Sequence, residues 1–140
     1  MLGQFALIAA AVFTGAALLV TIAEQPARLA LDDAAMLLEW RRSYDRAAPM
    51  QGGLALLTGA LGIAGAWMTG NAWTWTGAVA ILACWPFVLI VVMPVNKRLK
   101  ALDPGEASRA RPLVERWGRL HAVRTALGAV ATVCFAVASL

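Results

Sequence analysis

Charged residues are scarce in this chain of 140 residues, and their scarcity decides its class. Asp, Glu, Lys and Arg make up 14% of the sequence, against about 25% in an ordinary soluble domain. Hydrophobic residues make up 61% and the mean hydropathy is +0.70. Two cysteines and one histidine argue against a disulfide scaffold and against a zinc centre. The composition excludes a soluble enzyme domain or a disordered tail and indicates a small membrane protein.

Four runs with few or no charges are each long enough, or nearly so, to cross a bilayer. A hydrocarbon core of about 30 Å takes about 20 helical residues. Because lipid offers no partner to an open backbone, each run is expected to be helical. The predicted fold class is therefore an all-α integral membrane four-helix bundle in a single transmembrane domain. Its spans cover residues 2–23, 52–69, 72–93 and 119–140.

Every Lys and Arg lies in the two polar loops or, for Arg124, at the start of the fourth span. Basic loops stay on the cytoplasmic side, so we expect both termini to lie outside in a multi-pass protein of the inner (cytoplasmic) membrane. The same placement argues against a nucleic-acid partner, since membrane insertion accounts for the charge and no phosphate-binding loop accompanies it. The expected partners are membrane lipids and a hydrophobic small molecule.

The first polar loop is predicted to contain an amphipathic interfacial helix. Asp32 or Asp33 can cap its start, and it is expected to run to about Arg46, with Trp40 and Tyr44 near one face. Such a helix would rest on the inner leaflet or under the bundle.

Glycines in the second span and a proline in the third predict how the spans pack. Pro86 predicts a kink, since its nitrogen cannot bond the Leu82 carbonyl. Small residues at three- and four-residue spacing favour close packing within the bundle, with a homo-oligomer contact as the alternative. These are Gly52, Gly53, Gly59, Gly62 and Gly65.

Polar side chains from several spans are expected to meet at the cytoplasmic boundary. Glu24 ends the first span, Asn96 follows the third, and Gln51 lies at a similar depth. His121 and Arg124 lie in the first turns of the fourth. Ionisable groups at this depth usually face the bundle interior with a partner, and Glu24 is the expected partner of Arg124. His121 could bond Glu24 or Asn96, and imidazole suits proton transfer near neutral pH.

Four stretches carry a resemblance to a known family. Together they resemble the anthrone oxygenase-like family of small four-helix membrane proteins, most of which are described only as a domain of unknown function. The resemblance covers nearly the whole chain and implies an oxidoreductase, since some fungal relatives oxidise anthrones to anthraquinones without a recognised cofactor. The stretches are Glu24-Gln25-Pro26-Ala27-Arg28, Trp40-Arg41-Arg42-Ser43-Tyr44, Pro94-Val95-Asn96-Lys97-Arg98-Leu99 and Trp117-Gly118-Arg119-Leu120-His121-Ala122-Val123-Arg124.

The resemblance also implies residue roles. His121 would be the general base that removes a proton from a phenolic, anthrone-like substrate. Asn96 and Arg124 would hold the resulting oxyanion, and Trp117 would stack on the ring. The family often has a histidine where this chain has Gln25, which removes one imidazole. No cofactor is predicted, although haem with a single axial histidine or a metal stays open. The predicted pocket further includes Glu24, Trp40, Tyr44 and Gln51.

Two functions from different classes remain open. In the first, the polar cluster is an active site for an aromatic substrate that partitions into lipid. In the second, it is a structural lock in a non-catalytic membrane subunit or a lipid-, quinone- or small-molecule-binding module. A transporter is a third alternative, which four spans without paired repeats do not favour.

Overall fold

Four long helices follow one another along the chain, and there is no strand. A computed structural model describes all 140 residues. Each helix is long and apolar enough to cross a membrane, which confirms the all-α, four-span prediction and a multi-pass membrane protein. The helices are α1 Leu2–Leu29, α2 Asp33–Thr69, α3 Ala72–Ala101 and α4 Pro104–Val137.

Short connections make consecutive helices antiparallel. The α2–α3 turn uses Gly70 at φ 67°, a conformation that glycine adopts without steric penalty, and the Asn71 side chain accepts hydrogen bonds from the first turn of α3. Gly65, near this turn, lies against Gly3, so the N-terminus lies at the same end. The α1–α2 and α3–α4 connections lie at the opposite end, which we call the basic end because the chain's Lys and Arg lie in the helical segments toward it.

The helix predicted in the first loop is the start of α2. Asp32 caps it, accepting a hydrogen bond from Ala35 N at 2.9 Å. However, the helix does not end near Arg46 but continues through Pro49 to Thr69, over 37 residues. Its apolar face is buried in the protein rather than laid on lipid. The basic-end core contains Met36, Leu37, Trp40, Val92, Val95, Leu99, Val114 and Trp117.

Helix α3 is interrupted where the proline predicts it. A turn at Ala83 precedes Pro86, and a wide π-helical turn follows over Val88–Val92. Helices α2 and α3 pack closely over Ala72–Leu82 and have few contacts beyond it. A second π-helical turn occupies Val20–Glu24 of α1. Such turns are frequent at functional sites, and here α2 and α3 separate toward the basic end.

Glycines of α2 make their contacts inside the bundle. Gly59 leaves room for the Leu82 side chain, and a methyl group on Gly62 would lie 2.8 Å from Phe135 Cζ and 3.0 Å from Ala78 Cβ. Gly53 is different, since nothing lies within 4 Å of the methyl group it lacks. The membrane half of the bundle is therefore held by close approach of small residues.

Replacing Gly62 with alanine is expected to lower the free energy of unfolding by about 1–3 kcal/mol, because the buried Phe135 ring must move. Gly53→Ala is the control in the same helix. It should be neutral or stabilising by up to about 1 kcal/mol, since alanine is the better helix former. Thermal unfolding in detergent measures both, and equal effects of the two changes would contradict this packing.

Candidate functional site

A cavity of about 200 Å³ opens between α2, α3 and α4, where α2 and α3 separate. No residue of α1 lines it. Its walls are mainly apolar. The polar groups lie mainly toward the basic end, away from Cys84. This main cavity is lined by Tyr44, Ala48, Gly52, Ala55, Cys84, Trp85, Val88, Leu89, Val92, Met93, Asn96, Trp117, His121 and Arg124.

His121 is buried on the α4 wall of the main cavity. Its Nδ1 lies 3.2 Å from Thr21 Oγ1 of α1, and its ring lies 5.0 Å from the Trp117 ring. The expected bond to Glu24 or Asn96 is not formed. Thr21 precedes Glu24 by nearly one helical turn, so the imidazole meets α1 deeper in the bundle than the sequence indicates. No protein group bonds Nε2.

Asn96 is held by Tyr44 across the α2–α3 gap. Its Nδ2 donates to the Tyr44 hydroxyl at 3.0 Å, while its Oδ1 is buried without a partner. The Tyr44 ring stacks on Trp40 with centroids 5.0 Å apart. Because Tyr44 accepts from Asn96, its own proton remains available to another acceptor.

Arg124 does not pair with Glu24, which corrects the sequence-based expectation. Its Nε is buried without a partner, no carboxylate lies within ion-pair distance of it, and its guanidinium lies 5.9 Å from the Phe13 ring centroid. Glu24 lies 3.7 Å from Arg28, four residues along the same helix. The Glu24 carboxylate therefore pairs with Arg28 on the same helix face. The donors of Arg124 remain available to a ligand in the cavity.

Arg28 is the buried cation that the sequence reasoning missed. It donates through Nε to Glu39, through Nη1 to Gln25 Oε1 at 2.9 Å and through Nη2 to Ser43 at 3.3 Å. Its guanidinium also lies 5.4 Å from the Trp117 ring centroid. Its spacing of four residues from Glu24 could have indicated an ion pair on one helix face. In the sequence analysis, Arg28 counted only as one of the basic loop residues that predict the topology.

Gln25 joins α1 to α4. Its Nε2 donates to Val114 O at 2.9 Å, and its amide packs where Gly118 has no side chain, since a methyl group there would lie 2.5 Å from Nε2. Gln25 is therefore a fixed bridge between the two helices and does not line the main cavity.

Trp40 and Gln51, both predicted pocket residues, lie behind the main cavity. Trp40 is completely buried, and its ring meets Trp117 edge-on at 6.0 Å. Gln51 lines a chamber of about 20 Å³, large enough for one water molecule. This small chamber shares five residues with the main cavity: Tyr44, Ala48, Trp117, His121 and Arg124. Glu24 lines neither space.

Unpartnered buried polar atoms concentrate around these two spaces. Of the six such atoms in the chain, only Thr58 Oγ1 belongs to a residue that lines neither. Buried polar groups are nearly always hydrogen-bonded in native proteins, so the cluster points to a polar ligand or water. The other five are Trp40 Nε1, Trp85 Nε1, Asn96 Oδ1, Trp117 Nε1 and Arg124 Nε.

The chain offers no ready metal centre, because nowhere do three His, Cys, Asp or Glu side chains lie close enough to hold an ion. Cys84 and Cys134 are separate, buried free thiols. The chemistry that the cavity supports directly is proton transfer at His121 and hydrogen bonding from Arg124 and Tyr44.

In a comparison with protein families, residues 40–134 match a family described as anthrone oxygenase. The matched part contains every polar residue of the main cavity, from Tyr44 to Arg124. Thr21, Glu24 and Arg28 precede it. No curated protein and no solved structure matches the chain.

Proposed function

Because the chain belongs to the anthrone oxygenase family, we propose that it is a cofactor-independent membrane oxygenase for a lipophilic, anthrone-like phenol. The observation that carries the proposal is that His121, Asn96 and Arg124 line one cavity and each has a polar atom without a protein partner. With anthrone as the substrate, one molecule of oxygen gives anthraquinone and water.

The first step is proton removal from the methylene carbon of the substrate. His121 Nε2 takes the proton, and the electron pair of the broken C–H bond delocalises onto the substrate carbonyl oxygen. Arg124 and the Tyr44 hydroxyl donate hydrogen bonds to that oxyanion in mainly apolar surroundings, where such bonds are worth more than in water. The role of Asn96 differs from the one implied by the family resemblance, because its Nδ2 already donates a hydrogen bond to the Tyr44 hydroxyl. Its free Oδ1 instead accepts a hydrogen bond from a phenolic hydroxyl of the substrate.

The second step joins the anion to oxygen. The anion transfers an electron to molecular oxygen, and the two radicals combine into a C–O bond, while imidazolium returns its proton to give a hydroperoxide. Loss of the remaining hydrogen of that carbon then forms the new carbonyl as the O–O bond breaks. The departing hydroxide takes up the proton as water. One oxygen atom stays in the product and the other leaves.

The apolar walls of the main cavity favour a substrate that reaches it from lipid. An apolar cavity of roughly 150 Å³ accepts benzene, so this larger one takes an aromatic ring system that extends into the gap between α2 and α3. Leu89, which lines the gap, is 55% exposed on the lipid-facing side of the bundle. Gly52 lines the opposite wall, with only Trp85 within 4 Å of its missing methyl group.

Replacing Gly52 with phenylalanine should fill the gap and weaken binding of anthraquinone, an unreactive probe, by about tenfold or more. Gly53→Phe adds the same ring next to it, but on the exposed side of α2, and should bind as the unchanged protein does. Quenching of tryptophan fluorescence in detergent micelles measures both affinities. Equal affinities for the two variants would show that the ligand does not use this cavity.

For the orientation, we propose that the basic end faces the cytoplasm in the inner membrane, because all Lys and Arg lie toward that end of the bundle and basic segments beside spanning helices are retained inside. A reporter that is active only outside the cytoplasm, fused after Leu140, should be active. If the same reporter is active only when it is inserted between α1 and α2, the protein has the opposite orientation.

A binding module without turnover is the second candidate. It is favoured by the partner of His121, which is a hydroxyl rather than a carboxylate. Both nearby carboxylates, Glu24 and Glu39, pair with Arg28 instead. This alternative predicts anthraquinone binding that depends on Gly52 but no consumption of anthrone.

A further inference from the structure

A small network of hydroxyl groups joins α1 to α4 beside His121. Thr21 Oγ1 lies 2.9 Å from Ala17 O, 2.9 Å from Thr125 Oγ1 and 3.2 Å from His121 Nδ1. Thr125 Oγ1 also lies 3.3 Å from both Ala17 O and His121 O. No other residue bonds the imidazole ring.

Counting protons in this network favours one ring nitrogen as the carrier of the hydrogen. A hydroxyl has one proton and can also accept. A threonine inside a helix donates to the carbonyl four residues earlier, and Thr21 has Ala17 O at 2.9 Å in that position. The hydroxyl proton of Thr21 is then donated to Ala17 O, whichever acceptor the Thr125 hydroxyl binds. With Thr21 donating to Ala17 O, its Oγ1 accepts from His121, and Nδ1 carries the hydrogen.

We propose that Thr21 is a positioning residue that holds His121 as the Nδ1–H tautomer, with the lone pair of Nε2 directed into the main cavity. Nδ1 faces α1, and no α1 residue lines the cavity, so the opposite edge of the ring faces α2 and α3. If Thr21 donated to Nδ1 instead, Nε2 would carry the hydrogen and could not act as a base. The catalytic consequence depends on the proposed function, whereas the tautomer does not.

The chain allows a direct test, because His121 is its only histidine. Nitrogen-15 labelling of histidine and a long-range proton–nitrogen correlation in detergent distinguish a protonated ring nitrogen from an unprotonated one. We expect a protonated Nδ1 and an unprotonated Nε2 at neutral pH. A ring protonated at Nε2, alone or together with Nδ1, would overturn the proposal. This measurement on the unchanged protein needs no variant to fold.

Variants separate positioning from packing. Thr21→Val keeps the shape but removes the acceptor, so Nε2 should become partly protonated, while Thr21→Ser should keep the original spectrum. If anthrone is turned over, Thr21→Val should lower kcat about tenfold, the effect of about one hydrogen bond, with KM unchanged, and serine should restore it.

The matched control is Thr14→Val, which removes the Thr14–Thr132 hydroxyl bond at 3.0 Å in the same helix interface, and it should change neither spectrum nor kcat. An unchanged spectrum in Thr21→Val would overturn the proposal. Absence of turnover in the unchanged protein, with the expected tautomer present, would reject the oxygenase and leave the positioning role intact.

Discussion

Replacing His121 with alanine is expected to lower kcat for anthrone oxidation by roughly 100- to 10,000-fold, the usual contribution of a positioned general base. No other titratable side chain of the main cavity is suited to replace it, because Arg124 and Tyr44 are donors to the oxyanion and Cys84 lies toward the membrane centre. Oxygen uptake and anthraquinone absorbance, followed together in detergent, measure the change.

Folding should change little in this variant, since His121 makes one side-chain hydrogen bond, to Thr21. Thr58→Val is the matched control. It removes another buried polar atom of a spanning helix, one without a partner and outside both cavities, and should leave kcat and thermal stability unchanged. A fall in stability for His121→Ala with normal kcat would make the cluster a structural lock.

Replacing Arg28 with methionine is expected to lower the free energy of unfolding by about 2–4 kcal/mol. Breaking a buried pair from one side usually costs about 3–5 kcal/mol, and the lower range applies because both carboxylates are 38% exposed and can be hydrated. The variant leaves Gln25 Oε1 without its donor and removes the cation over Trp117. Chemical denaturation in mixed micelles, followed by circular dichroism, measures the loss.

Arg109→Met is the control for Arg28. Arg109 pairs with Glu106 at the basic end, but its side chain is 69% exposed, and an exposed pair is worth about 0–1 kcal/mol. Losses of similar size in the two variants would contradict the description of Arg28 as a buried cation that links α1 to α2.

The sequence predicts the spans well because lipid restricts their structure so strongly. An uncharged run of about 20 residues has to become a helix, and short connections then fix the antiparallel order. The continuity of α2 was not predictable in the same way. The pattern around Trp40 marks an apolar face but does not say whether lipid, water or protein covers it. Here α3 and α4 cover it.

Position along the bundle axis was predictable for several of the site residues, whereas rotation about each helix axis was not. Counting from the ends of the spans placed Asn96, His121 and Arg124 at one level, and all three line the main cavity. The same counting put Glu24 beside Arg124, but Glu24 faces Arg28. Thr21 carries no charge and lies in an apolar run, so only the packing of α1 on α4 reveals its bond to His121.

The most direct test of the oxygenase is turnover of anthrone by the purified protein in liposomes under oxygen-18 gas, compared with protein-free liposomes and with His121→Ala. We predict anthraquinone formation above both controls, with consumption of equal amounts of oxygen and anthrone and with label in the new carbonyl. Anthraquinone formation no faster than in protein-free liposomes, or without label in the product, would contradict the assignment of the main cavity as an oxygenase active site.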